Sequence, residues 1–120
     1  MTPVLTSVTG VALIGGGQVG PQALAAALAL APVVMAADSG ADTALAHGQG
    51  PAAVVGDLDS ISDAARRELA DVLHPVAEQD STDFEKCLTR IAAPFVIAVG
   101  FSGSRLDHTL ASITASTLAF

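Results

Sequence analysis

The sequence contains no tryptophan, no tyrosine and only four phenylalanines, which excludes a core built on large aromatic rings. Alanine supplies 24 of the 120 residues. Because alanine buries little area, stability has to come from Val, Ile and Leu and from close helix packing. The one cysteine, Cys87, excludes an internal disulfide and a thiolate metal cluster, and it fits a reducing compartment. Base is scarce as well: five Lys and Arg against twelve Asp and Glu leave a formal net charge of −7. A chain this acidic is ill suited to a nucleic-acid backbone or an anionic membrane, so neither is expected as a partner. To handle phosphates it would need a cation between them and its own carboxylates.

Long apolar runs are also missing. Residues 1 to 37 carry no side-chain charge, yet Gly15 to Gly17, Pro21 and Pro32 interrupt them. No run reaches the ~18–20 apolar residues of a membrane-spanning helix. The first residues lack the positive segment of a secretory signal, so a soluble, cytoplasmic protein is expected. With 51% hydrophobic residues the chain is not intrinsically disordered, and its 120 residues make one compact domain. It holds no internal repeat and no low-complexity linker. The last residues, Leu118-Ala119-Phe120, are helix-like with no glycine stop, as in a domain cut from a longer protein.

What is present is a rhythm of short apolar runs and helix-period segments. Strands are expected at Val11–Ile14, Pro32–Ala37, Ala52–Val55, His74–Val76 and Phe95–Val99. Helices are expected at Gln22–Leu30, from Gly40 to about His47, and from a Ser62 cap to about Asp71. Phe84, Cys87, Leu88 and Ile91 mark one apolar face of a further helix, and a last helix is expected from about His108. This alternation predicts a three-layer α/β/α, Rossmann-like domain with a mostly parallel sheet. In such sheets ligands bind beyond the carboxyl ends of the strands.

Four strand exits carry unusual loops. In Gly56-Asp57-Leu58-Asp59-Ser60, residues two apart on an extended segment point the same way, so both carboxylates face one point. Adjacent like charges of this kind invite a shared cation, and Mg²⁺ suits carboxylates and phosphates. A solvated turn in which Asp59 caps the next helix is the plainer alternative. The second loop is Glu78-Gln79-Asp80-Ser81-Thr82-Asp83-Phe84-Glu85-Lys86. Thr82 and Glu85 form a capping box, which leaves Asp80 and Asp83 unaccounted for. Nine of the twelve acids lie between Asp57 and Glu85. Lys86, three residues beyond Asp83, is either a surface pair or a phosphate contact. The third loop, Gly100-Phe101-Ser102-Gly103-Ser104-Arg105-Leu106-Asp107-His108, joins glycines to an Arg fork suited to phosphate oxygens. Asp107 and His108 read equally well as a cap and a first-turn residue. The fourth, Gly15 to Gly20, matches the dinucleotide fingerprint G-x-G-x-x-G with Asp38 following the second strand. Pro21 directly after the third glycine argues against it, since proline is comfortable only in a helix's first turn.

Ala37-Asp38-Ser39-Gly40-Ala41-Asp42, Gly56 to Ile61, Gln79 to Lys86 and Gly103 to His108 together resemble the ordered motifs of thiamine pyrophosphokinase, over roughly residues 33 to 115. The resemblance implies transfer of pyrophosphate from ATP to the hydroxyethyl group of thiamine, giving thiamine diphosphate and AMP. It implies that Asp57, Asp59 and Asp83 hold Mg²⁺ with the ATP phosphates, that Asp80 supports the cluster, and that Gln79 approaches the thiamine pyrimidine. Arg105 and Asp107 would belong to the nucleotide site with Gly56 and Lys86, and Asp38 would lie near it. The catalytic set would be Asp57, Asp59, Asp80, Asp83 and Arg105; the sequence assigns no general base for the thiamine hydroxyl, Asp80 being one candidate subject to hydrogen-bond reach. Leu58 stands where the family usually has Phe, and Ser104 where a second glycine is common. The resemblance also implies a homodimer and a C-terminal β-sandwich domain. This chain holds no such domain and resembles the catalytic half alone.

Two other functions compete. A nicotinamide- or flavin-binding module rests on the Gly15–Gly20 fingerprint. A Mg²⁺-dependent phospho-acceptor regulatory domain would need a lysine at a late strand end, and Phe95 to Gly103 offers none.

Overall fold

The computed structural model describes residues 3–76, 83–101 and 112–113, with Asp83 and the last pair as backbone only. The strands are β1 (Leu5–Thr6), β2 (Val11–Ile14), β3 (Val33–Ala37), β4 (Ala53–Gly56), β5 (Leu73–Pro75), β6 (Ile91–Ala92), β7 (Val96–Val99) and β8 (Ser112–Ile113). The helices are α1 (Pro21–Leu30), α2 (Gly40–Ala46), α3 (Asp63–Glu68) and α4 (Asp83–Leu88), with a 3₁₀ turn at Ala70–Val72. Among the described residues the main sheet runs β5-β4-β3-β2-β7-β8, and β1 pairs with β6 in a separate small sheet. All pairings are parallel except that of β7 with β8.

Residues β2, β3, β4 and β7 are nearly all buried, as expected of parallel strands covered on both faces. Alternate residues serve opposite layers. Val11, Leu13, Met35, Ala37, Val55, Val96 and Ala98 join Cys87, Phe84 and Leu88 of α4 on one face. Ala12, Ile14, Val34, Ile97 and Val99 meet Leu24, Ala27 and Ala31 of the α1 segment on the other. Further along that second face, Ala36 and Val54 pack with Ala41 and Ala65 of α2 and α3. The three-layer α/β/α architecture with a mostly parallel sheet is thus as the sequence predicts.

Local signals account for the helix starts. Pro21 occupies the first position of α1 and Gly20 its cap, where a missing N–H costs nothing. The Ser62 hydroxyl accepts from Ala65 N at 3.1 Å and caps α3. Two expectations are corrected. Ser112 and Ile113 form an antiparallel strand on β7, inside the stretch expected to be a helix from His108. Ile91 does not extend the apolar face of α4: the helix ends at Leu88, and Ile91 pairs with Leu5 across β1 and β6. Neither of those two-residue strands is long enough to show an alternating pattern. No described helix is long and apolar enough to cross a membrane.

Candidate functional site

The parallel strands β4, β3, β2 and β7 discharge their loops at one rim. Between β2 and β7 the chain reverses its direction of growth across the sheet, the place where a ligand crevice is usual. Here that place is closed by backbone. Gly15 N donates to Val99 O at 2.8 Å and Gly17 N to Gly100 O at 2.6 Å. A Cβ on Gly15 or Gly17 would stand 2.6 or 2.7 Å from Gly100 O, and one on Gly16 would fall against Ser39 Oγ. The glycine run is therefore explained by loops packed on one another. Gly20, the third glycine of the fingerprint, has nothing within 4 Å of its Cβ position, so it makes no close helix–strand contact.

The exits of β3 and β4 carry the acids. Asp38 follows β3 with φ 49°, a left-handed conformation that aspartate tolerates, and it is buried. Its Oδ1 accepts from Leu58 N at 2.7 Å. Gly56 ends β4 with φ 145°, and a Cβ there would lie 2.5–2.6 Å from the Asp38 carboxylate. Only glycine satisfies both the angle and the approach. Beyond it Asp57 is exposed, Leu58 is 3% exposed and Asp59 is exposed.

Both carboxylates are exposed, but not on the extended segment that the sequence led us to expect. Leu58 has φ 65°, so the segment is a turn, not an extended strand end. Asp57 Oδ1 accepts from Asp59 N at 3.4 Å within that turn. Asp59 does not cap α3, because Ser62 does. Ser62 is held in turn by Asp42 of α2, whose Oδ2 accepts from Ser62 N at 3.0 Å and whose Oδ1 accepts from the Ser62 hydroxyl.

Asp83 is the first residue of α4. Phe84, beside it, rests on Phe101, two residues past the end of β7. The start of α4 therefore stands over the carboxyl rim, and the helix packs across β4 and β3. Lys86 is 5% exposed, which corrects the surface-pair reading. Gln79, Asp80, Arg105 and Asp107 lie outside the described residues, as do Glu78, Ser81, Thr82, Ser104 and His108.

Asp57 and Asp59 offer hard oxygen donors, and among the described residues no group of three or more His, Cys, Asp or Glu forms a metal cage. That donor set fits Mg²⁺, which commonly takes one or two carboxylates and shares the rest of its shell with water and phosphate. One residue at this loop carried no sequence signal. Arg66, on α3, donates from Nη2 to Leu58 O at 2.5 Å. Its position near the end of α3 reads simply as a cation at a helix terminus.

Comparison with known proteins points one way. A family model described as thiamin pyrophosphokinase, catalytic domain, matches residues 24–119. Among solved structures the chain is similar to yeast thiamin pyrophosphokinase, at 25% identity and a TM-score of 0.56 over 69% of this chain and 31% of that one. It is similar to thiamin pyrophosphokinase from Geobacillus thermodenitrificans, at 26% identity and a TM-score of 0.60 over 82% and 50%. The Candida albicans protein, at 21% identity and a TM-score of 0.55 over 68% and 30%, shares the fold. The chain thus spans between 30% and 50% of the length of these structures. No curated protein matches.

Proposed function

Because the chain belongs to the thiamin pyrophosphokinase catalytic-domain family, we propose that it transfers pyrophosphate from ATP to thiamine, forming thiamine diphosphate and AMP. The observation that carries this reading is the exposed pair Asp57 and Asp59 at the end of β4, on the rim over which α4 begins. Asp57 and Asp59, joined by Asp83 from the first turn of α4, would hold Mg²⁺ together with the phosphates. The ion would supply charge neutralisation on the pyrophosphoryl oxygens.

The chain's own residues do the positioning that this chemistry mainly requires. Asp57 and Asp59 orient the phosphates from the β4 side, and Gly56 brings that loop close to Asp38, which borders the nucleotide site from within. Asp80 supports the carboxylate group and is our candidate to take the proton of the thiamine hydroxyl. Arg105 balances phosphate charge, Asp107 and Lys86 complete the nucleotide site, and Gln79 approaches the thiamine pyrimidine. The hydroxyl oxygen forms a bond to the β-phosphorus while the bond from that phosphorus to the α–β bridging oxygen breaks, and AMP departs with that oxygen. A homodimer with a β-sandwich domain completing the thiamine pocket, acting in the cytoplasm, is part of the same proposal.

The test is a calorimetric titration with a non-hydrolysable ATP analogue. Affinity should depend on Mg²⁺ and be lost in the Asp57→Asn, Asp59→Asn double variant. Equal affinity with and without the metal, or in the double variant, would reject the assignment.

A further inference from the structure

The residue between the two exposed carboxylates is held at every point by which a residue can be held. Its N–H donates to Asp38 Oδ1 at 2.7 Å, and its C=O accepts from Arg66 Nη2 at 2.5 Å. The Leu58 side chain is buried with Ala36, Ala41, Val54, Ile61 and Ala65. Its φ of 65° is one that leucine, unlike aspartate, seldom adopts. Gly56 leaves the space in which the Asp38 carboxylate reaches under the loop. The three anchors come from three elements: the exit of β3, helix α3 and the core beneath.

We infer that Asp38 and Arg66 are positioning residues, which clamp the Leu58 peptide and so pre-organise Asp57 and Asp59 for the divalent ion. The inference rests on the proposed function for what the pair binds. An unclamped Leu58 relaxes toward negative φ, which turns its two neighbours and separates their carboxylates. The supporting shell around metal-binding carboxylates commonly sets affinity in this way, without touching the ion. Arg66 also contributes the cationic charge nearest in sequence to a loop that carries two negative charges. Neither role needs Asp38 to be ionised: an amide oxygen at the same position still accepts from Leu58 N, though less strongly than a carboxylate.

The experiment titrates the whole chain with Mn²⁺ in the presence of a non-hydrolysable ATP analogue and follows exchange of the Leu58 amide by NMR. Arg66→Ala should weaken Mn²⁺ affinity about tenfold, and Arg66→Lys, still a donor, should recover most of it. Because Arg66 is exposed, its removal should leave the melting temperature within about 3 °C. Asp38→Ala should weaken Mn²⁺ binding and speed exchange of the Leu58 amide, and Asp38→Asn, which keeps a neutral acceptor, should show a smaller change in both. If Asp38→Ala does not fold, the Arg66 pair alone decides. Wild-type binding with an unchanged Mn²⁺ affinity in Arg66→Ala overturns the clamp and leaves the function standing. Failure of the wild-type chain to bind Mn²⁺ with the analogue overturns the function, and the clamp's role goes with it.

Discussion

Phe84, the second residue of α4, meets Phe101 edge to face, with ring centroids 5.2 Å apart and planes at 71°. The two residues are close in sequence but belong to different layers, one on a helix and one just past the end of a sheet strand. Their contact pins the first turn of α4 to the rim where β4 releases Asp57 and Asp59. In a chain with four phenylalanines, half of the aromatic content is spent on this junction.

The pair should show energetic coupling. In a double-mutant cycle of Phe84→Leu and Phe101→Leu, urea denaturation should give a coupling energy of about 1 kcal/mol. Strict additivity would mean that the rings merely adjoin.

Gly56→Ala should be among the costlier single substitutions. The added Cβ meets the Asp38 carboxylate at 2.5–2.6 Å and forces alanine to φ 145°, so a loss of about 2 kcal/mol or more is expected. Chemical denaturation measures it. Combining it with Asp38→Ala should cost less than the sum of the two, since the clash is then relieved.

Ser62 and Asp59 should separate cleanly. Ser62→Ala removes the cap of α3 and the tie to Asp42, and should cost about 1 kcal/mol. Asp59→Ala removes an exposed group that caps nothing, and should change stability by less than about 0.5 kcal/mol. A thermal melt of each variant checks this, and the reverse ranking would return the capping role to Asp59.

The glycines of the rim should also divide. A Cβ on Gly40 would fall against Ile14 O, within the backbone contact between α2 and β2, so Gly40→Ala should cost about 3 kcal/mol. Gly20→Ala has open space around it and should stay within about 1 kcal/mol. A large loss at Gly20 would revive a close helix contact of the dinucleotide-binding kind.

Much of the fold was legible because its signals are local. Val11–Ile14 and Val96–Val99 are continuous apolar runs long enough to bury on both faces, and Pro21 and Ser62 mark helix starts by their own chemistry. The segments misread or missed are those whose conformation depends on distant partners. Leu5–Thr6 and Ile91–Ala92 are strands only by virtue of each other, and Ser112–Ile113 only by virtue of β7. At the candidate site, Asp57 and Asp59 stand out in sequence by their spacing and the glycine before them. Arg66 does not, because its bond to Leu58 arises when α3 folds back over the β4 loop.

The order of buried runs and helix caps by itself determined that this chain builds a parallel sheet between helices, and that Asp38, Asp57 and Asp59 follow directly on strands. Those choices follow from side-chain burial and from capping, which act over a few residues. Only the tertiary structure decided that the crevice between β2 and β7 is closed by glycine backbone, that Lys86 is buried, and that the Asp57–Asp59 turn is left-handed at Leu58. Each of these depends on atoms brought together from separate elements: Gly17 with Gly100, α4 with the sheet, and Leu58 with Asp38 and Arg66. Local preference at Leu58 favours negative φ, and it yields because the two hydrogen bonds and the buried side chain outweigh it.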